Sequence, residues 1–192
     1  MEMSRFEKFF VNSKLCNRLQ KIFLYPKFLG FIGKELNGNV LEIGCGIGET
    51  TNLLSNKYKK SYIMSIDYDI EQINIAKKNN KLKNVKFMQG DATNMTFKNS
   101  SFDYAIETNV FHHIKDYPKA IEEVGRVLKN NGHFYLIDIS QYIFSWPIRL
   151  FFPPESFFTK KEFIRQLQNK GFKIEKSSGN LFFFISAKKV QL

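Results

Sequence analysis

An apolar run, Val40-Leu41-Glu42-Ile43, leads directly into Gly44-Cys45-Gly46-Ile47-Gly48, and a helix is expected to begin near Glu49. Glycines crowd such a junction where a ligand must lie against backbone, because no side chain then blocks its approach. A dinucleotide-binding turn follows G-x-G-x-x-G or A, and here its last small position holds Glu49, a carboxylate that would repel a pyrophosphate at the helix N-terminus. The turn therefore suits a ligand without phosphates. Asp67 ends a second apolar run about 20 residues further on, where a carboxylate accepts hydrogen bonds from ribose hydroxyls. Gly90-Asp91-Ala92 follows a third run, and a carboxylate there can accept from an exocyclic amino group such as that of adenine. Singly, each has a plainer reading: a tight strand-to-helix junction, or an aspartate capping a helix. In this order and spacing they describe a nucleoside site.

The elements that must position these residues are legible as periodicity. Apolar runs at 40–43, 62–66, 85–88, 104–106 and 134–139 read as strands, and helices between them make a five-fold βα alternation with a parallel sheet. Asp69 followed by Gln72 forms a capping-box pattern, and Pro118 opens a helix that Asn130-Asn131-Gly132 is expected to close. Thr159 with Glu162 caps a further helix ending at Gly171, after which 172–176 and 181–187 flank Ser177-Ser178-Gly179-Asn180 as a hairpin. Residues 1–36 read as helices: Phe6, Phe9 and Phe10, then Leu15, Leu19, Ile22 and Phe23, recur at helical spacing. Pro26 suits the start of a second helix carrying Phe28, Leu29, Ile32 and Leu36, with Asn37-Gly38 as its stop.

Composition bounds the rest. The 192 residues, 43% hydrophobic and 24% charged, support one folded core and exclude long disorder. The surplus of basic residues, net +11, is spread along the chain, with 16 basic against 9 acidic residues in the first 100 positions and 13 against 9 in the remainder. A spread, lysine-dominated surplus does not predict nucleic-acid reading and leaves peripheral contact with an anionic membrane open. Cys16 and Cys45 are too few for a disulfide framework and suit a reducing cytoplasm. The longest early apolar run, Ile22-Phe23-Leu24-Tyr25, is too short for a signal peptide or a transmembrane span.

At this point the sequence resembles the class I S-adenosylmethionine-dependent methyltransferases, in particular the small-molecule branch that includes the ubiquinone and menaquinone biosynthesis enzymes. VLEIGCGIGETT, SIDYD, VKFMQGDATNMTF, FDYAIETNVFHHIKD and IEEVGRVLKNNGHFYLID carry the resemblance across residues 40–138, and the terminal hairpin extends it to about 187. The resemblance implies a Rossmann-like α/β sandwich with a seven-stranded sheet, the last strand antiparallel, and helices on both faces. It implies a methyltransferase domain over 37–192, with 1–36 as an N-terminal helical lid that 140–158 completes.

By the same resemblance, Gly44, Cys45 and Gly46 would approach the methionine part of S-adenosylmethionine, with Glu42 steadying its amino group. Asp67 would hold the ribose hydroxyls, Tyr68 would flank the adenine, and Asp91 with the Ala92 backbone would read its amino edge. Glu107 and Thr108 would reach the methionine side through backbone groups. His112 would face the methyl acceptor, to touch it or to act as a base, whereas His113 would pack or cap; the plainer reading of both is structural. Cys45 has no adjacent base in sequence to make it a nucleophile.

Departures from other branches narrow the acceptor. Glu107-Thr108-Asn109-Val110 lacks the Asn- or Asp-Pro-Pro-aromatic motif of amino-group methylation, and no Pro-Cys pair serves cytosine C5 chemistry. Glu107, Asn109 and Asp138 could collect a divalent cation, but no metal is expected of such strand-end acids. The phenylalanine pairs Phe9-Phe10 and Phe151-Phe152, with Tyr142 and Trp146, lie where an apolar chamber would be lined, and packing of the added helices accounts for them nearly as well. The expected reaction is in-line methyl transfer to a small apolar or amphiphilic acceptor, giving S-adenosylhomocysteine. Its rivals are a non-catalytic cofactor-binding subunit and an NAD-dependent oxidoreductase, and the closing antiparallel hairpin disfavours the latter.

Overall fold

The computed structural model describes residues 18, 20–33, 35–140 and 158–190. Seven strands form one sheet: β1 (Gly38–Ile43), β2 (Ser61–Asp67), β3 (Val85–Gln89), β4 (Phe102–Thr108), β5 (Leu128–Ile139), β6 (Phe172–Ser178) and β7 (Phe182–Lys189). Their order is β3-β2-β1-β4-β5-β7-β6. The first five run parallel, and β7 inserts antiparallel between β5 and β6. The Rossmann-like sheet with a reversed last strand is thus as expected. The order reverses at β1 and β4, and a parallel sheet opens its ligand crevice at the carboxyl ends of the strands on either side of such a switch.

Helices cover both faces because residues on successive strand positions point to opposite sides. On one face, α1 (Tyr25–Ile32) and α2 (Glu49–Lys57) bring Phe28, Ile32 and Leu54 against Val40, Ile63, Ile106 and Ile137. On the same side, α3 (Ile70–Asn79) lays Ile73 and Ala76 on Phe87. On the other, α4 (Tyr117–Val127) and α5 (Lys160–Asn169) bury Ile121, Val124, Phe163 and Leu167 against Leu41, Phe134, Phe183 and Ile185. Part of the segment expected to form a lid is therefore core: Phe28, Ile32 and Leu36 share a cluster with the central strands. Most of residues 1–19, and 141–157 with Tyr142, Trp146 and Phe151-Phe152, lie outside the described residues.

Several boundaries differ from expectation. Among the described residues no helix joins β3 to β4, so the alternation is not five-fold; residues 90–101 turn through the Asp91–Thr93 motif instead. Helix α4 stops at Val127, and Leu128 already pairs with Phe102 on β4. The Asn130-Asn131-Gly132 signal marks an irregularity inside β5, with Asn131 at φ 64°, because burying Leu128 in the sheet outweighs extending the helix. Helix α1 ends at Gly33, whose φ of 113° no side-chain-bearing residue adopts readily, before the expected Asn37-Gly38 stop. Asp69 caps α3 through the Glu71 N–H, and no reciprocal bond from Gln72 completes a box. The Thr159–Glu162 capping box is complete in both directions.

Candidate active site

The glycine turn is stitched to the second strand. Gly44 and Cys45 both donate their N–H to the Ile66 carbonyl, at 2.8 and 3.0 Å, and Gly46 donates to Asp67 Oδ2 at 2.8 Å. The two aligned glycines have different reasons to be glycine. Gly44, at φ +70°, is packed so closely that a Cβ would sit 2.2 Å from a Val110 methyl. Gly46, at φ +51°, would place a Cβ with nothing within 4 Å. The first glycine is demanded by protein and the second faces open space.

Asp67 is held on both oxygens, Oδ2 by Gly46 and Oδ1 by the Asp69 N–H at 2.9 Å. The two amides fix the orientation of the carboxylate at the strand ends. Tyr68 beside it is exposed, its carbonyl accepting from Gln89 Nε2. Asp91 is brought close because Gly90 donates to the Asp67 carbonyl at 2.9 Å; its Oδ1 accepts from both the Thr93 N–H and hydroxyl, and Ala92 is buried next to it.

Glu42 lies under the turn with no exposure. Thr51 and Ser65 both donate hydroxyls to its Oε2 at 2.6 Å, while Oε1 has no hydrogen-bond partner among the described residues. Burial pushes its carboxyl up to about 7, against the two hydroxyl bonds that hold it down. An unpartnered buried carboxylate oxygen aligned with a positively charged ligand would recover that desolvation cost. Burial and the neighbouring Glu42 and Asp67 push the Cys45 thiol well up, so it is a poor nucleophile.

Around the ends of β4 and β5 the geometry changes character. Glu107 is fully buried, and its Oε1 accepts the Val110 N–H at 2.5 Å, so the side chain caps the loop while Thr108 Oγ1 lies 3.4 Å from Thr50 Oγ1. Burial first, then the Asp138 carboxylate, pushes Glu107 well above the usual carboxylate range. His112 and His113 occupy a single tight turn, Phe111–His113, their rings 4.0 Å apart. Burial and its neighbour hold His113 well below the usual imidazole value, hence neutral. His112 Nδ1 lies 2.5 Å from Asp138 Oδ1. In the sequence Asp138 stands out only as a possible cation ligand with Glu107 and Asn109, whereas in the structure it pairs with His112. Tyr25 carries no signal in the sequence, yet it is buried beneath the site, its hydroxyl donating to Gln20 Oε1 at 2.7 Å. Nothing short of the packing of α1 could have revealed it.

Residues 34–187 match the family model described as a methyltransferase domain. The chain belongs to this methyltransferase family. It is 34% identical over 128 residues to the uncharacterized methyltransferase YcgJ of Bacillus subtilis, covering 63% of this chain and 50% of that one. It is 30% identical over 111 residues to the phthiotriol/phenolphthiotriol dimycocerosates methyltransferase of Mycobacterium leprae, covering 57% and 41%. The chain thus spans half or less of the length of these curated relatives. A crystal structure of a SAM-dependent methyltransferase from Aquifex aeolicus superposes with a TM-score of 0.80 over 98% of this chain and 100% of that one, at 23% identity, which establishes the shared fold.

Proposed function

We propose that this methyltransferase-family chain binds S-adenosylmethionine at the carboxyl ends of β1, β2 and β3 and passes its methyl group to a small apolar or amphiphilic acceptor at the ends of β4 and β5. The observation that carries the reading is Gly46: its amide is tied to Asp67 and its side-chain position is open, so a ligand can lie on the backbone within reach of a fixed carboxylate. Asp67 takes the two ribose hydroxyls, Tyr68 covers the adenine, and Asp91 Oδ2 with the Ala92 N–H reads the adenine edge. Glu42 Oε1 faces the amino group of the methionine portion, and Gly44, Cys45, Gly46, Glu107 and Thr108 line that portion through backbone. When bound, the cofactor supplies an electrophilic methyl carbon on a sulfonium sulfur. The chain's own task is then to hold the acceptor in line and dry, with His112 on the acceptor side.

Amphiphilic acceptors fit the relative whose named acceptor is a phthiotriol or phenolphthiotriol dimycocerosate. They fit also the exposed Ile22 and Phe23, flanked by exposed Arg18 and Lys27, on the N-terminal segment that would act as a lid and touch an anionic membrane surface. Among the described residues no helix is long and apolar enough to cross a membrane, and a cytoplasmic site of action suits the thiol and charge pattern. Incubation with methyl-labelled S-adenosylmethionine and a lipid extract of the host tests the reading. Label should pass into the organic phase, and label remaining wholly on the cofactor would refute it.

A further inference from the structure

The contact between His112 and Asp138 exceeds what a structural turn needs. Asp138 has no exposure, and it grips His112 twice: Oδ1 lies 2.5 Å from the ring Nδ1 and Oδ2 accepts the His112 backbone N–H at 3.3 Å. The Ile139 N–H donates to the same Oδ1 at 2.6 Å, so the carboxylate cannot swing away. A carboxylate only accepts, so Nδ1 carries the hydrogen, and in the neutral ring Nε2 then keeps its lone pair. Among the described residues the titratable groups recorded against the pair are Glu107 from β4, pushed well above the usual carboxylate range by burial and by Asp138, and His113 from the same turn, held well below the usual imidazole value by burial and by His112. Neither competes for the ring as a charge. The turn also abuts the glycine loop, since Val110, two residues before His112, packs on Gly44. Beside it, the Asn109 amide oxygen and nitrogen and the Ser140 hydroxyl are buried with no hydrogen-bond partner among the described residues, so these strand ends expect a polar ligand group.

We infer that Asp138 is a positioning residue that fixes His112 with Nε2 bare, so that His112 takes the proton from an acceptor hydroxyl as that oxygen is methylated. This rests on the function proposed above and names its acceptor class. The balance is simple: the acceptor oxygen forms the new O–CH3 bond, the electron pair of the breaking C–S bond remains on sulfur, and the hydroxyl proton moves to Nε2. The resulting imidazolium is compensated by Asp138 and later releases the proton to solvent. An acceptor already ionised would leave this arrangement without a task.

Nitrogen-15 NMR of the full chain with bound S-adenosylhomocysteine reads the ring directly. The wild type should show His112 protonated on Nδ1 and bare on Nε2. Asp138→Asn, whose amide can donate to Nδ1, should move the hydrogen to Nε2 and leave cofactor affinity within about twofold. Methyl transfer to a hydroxyl-bearing lipid extract should fall on the order of 10²-fold or more, chiefly in kcat. A wild-type ring protonated on Nε2 overturns the inference even if the variant does not fold, as does a tautomer unchanged in a folded Asp138→Asn. Failure of the wild type to bind S-adenosylhomocysteine would instead refute the underlying function.

Discussion

The two halves of the site satisfy their polar groups differently. At the ends of β1 and β2 the carboxylates are bonded within the chain: Glu42 Oε2 takes two hydroxyls and Asp67 takes two amides, and what remains open among the described residues is the space at Gly46, one oxygen of Glu42 and, at the start of α3, Gln72 Oε1. At the ends of β4 and β5, Glu107 Oε2, both amide atoms of Asn109 and the Ser140 hydroxyl are buried without partners among the described residues. Each such group costs about 1–3 kcal/mol. A rim prearranged by its own hydrogen bonds suits one invariant ligand. Strand ends holding unsatisfied donors and acceptors suit a ligand that brings polar groups of its own.

The contrast sharpens most at the two glycines. Gly46→Val should abolish S-adenosylhomocysteine binding, because its side chain would occupy the open space, while the strain of a left-handed valine costs the fold about 1–2 kcal/mol. Gly44→Ala should do the opposite, lowering the melting temperature steeply because its Cβ would collide with Val110. Calorimetry and thermal melts on both variants check the pair, and equal effects at the two positions would break the comparison.

Next in size, Asp67→Ala should weaken cofactor binding on the order of tenfold or more, since charge-assisted bonds to two hydroxyls are lost. Titration calorimetry on the folded variant measures it.

Glu42 gives a pH signature. Its folded carboxyl is pushed from an ordinary 4.5 up to about 7, so the native state holds the proton more tightly than the unfolded chain. The stability this contributes is complete below about 4.5 and is lost as pH rises through 7. Glu42→Gln should flatten the fall in melting temperature between those pH values while weakening cofactor binding, because the amide cannot offset the ligand's charge. Melts from pH 4 to 8 on wild type and variant decide it.

The smallest effect belongs to Cys45. Its buried thiol, pushed well up, should react with iodoacetamide at pH 8 far more slowly than free cysteine, and Cys45→Ala should keep methyl transfer within a few-fold. Rapid alkylation with loss of turnover would contradict this.

The same division governed what the sequence could reveal. The glycine turn, Asp67, Asp91 and the Thr159–Glu162 box are short-range patterns, and each appears where its spacing put it. The pairing of His112 with Asp138 spans 26 residues and two elements, and Tyr25 is buried beneath the site only because α1 packs on the sheet. Neither leaves a local trace. Helix ends depart from the sequence signal where tertiary burial wins: Leu128 joins the sheet and ends α4 early, although Asn130-Asn131-Gly132 is the better stop by propensity.

The most direct measurement is calorimetric titration of the full chain with S-adenosylhomocysteine, with NAD as the control and Gly46→Val as the blocked variant. The account predicts saturable one-to-one binding of S-adenosylhomocysteine, none of NAD, and none to the variant. Absence of S-adenosylhomocysteine binding by the folded wild type, or undiminished binding by folded Gly46→Val, would contradict it.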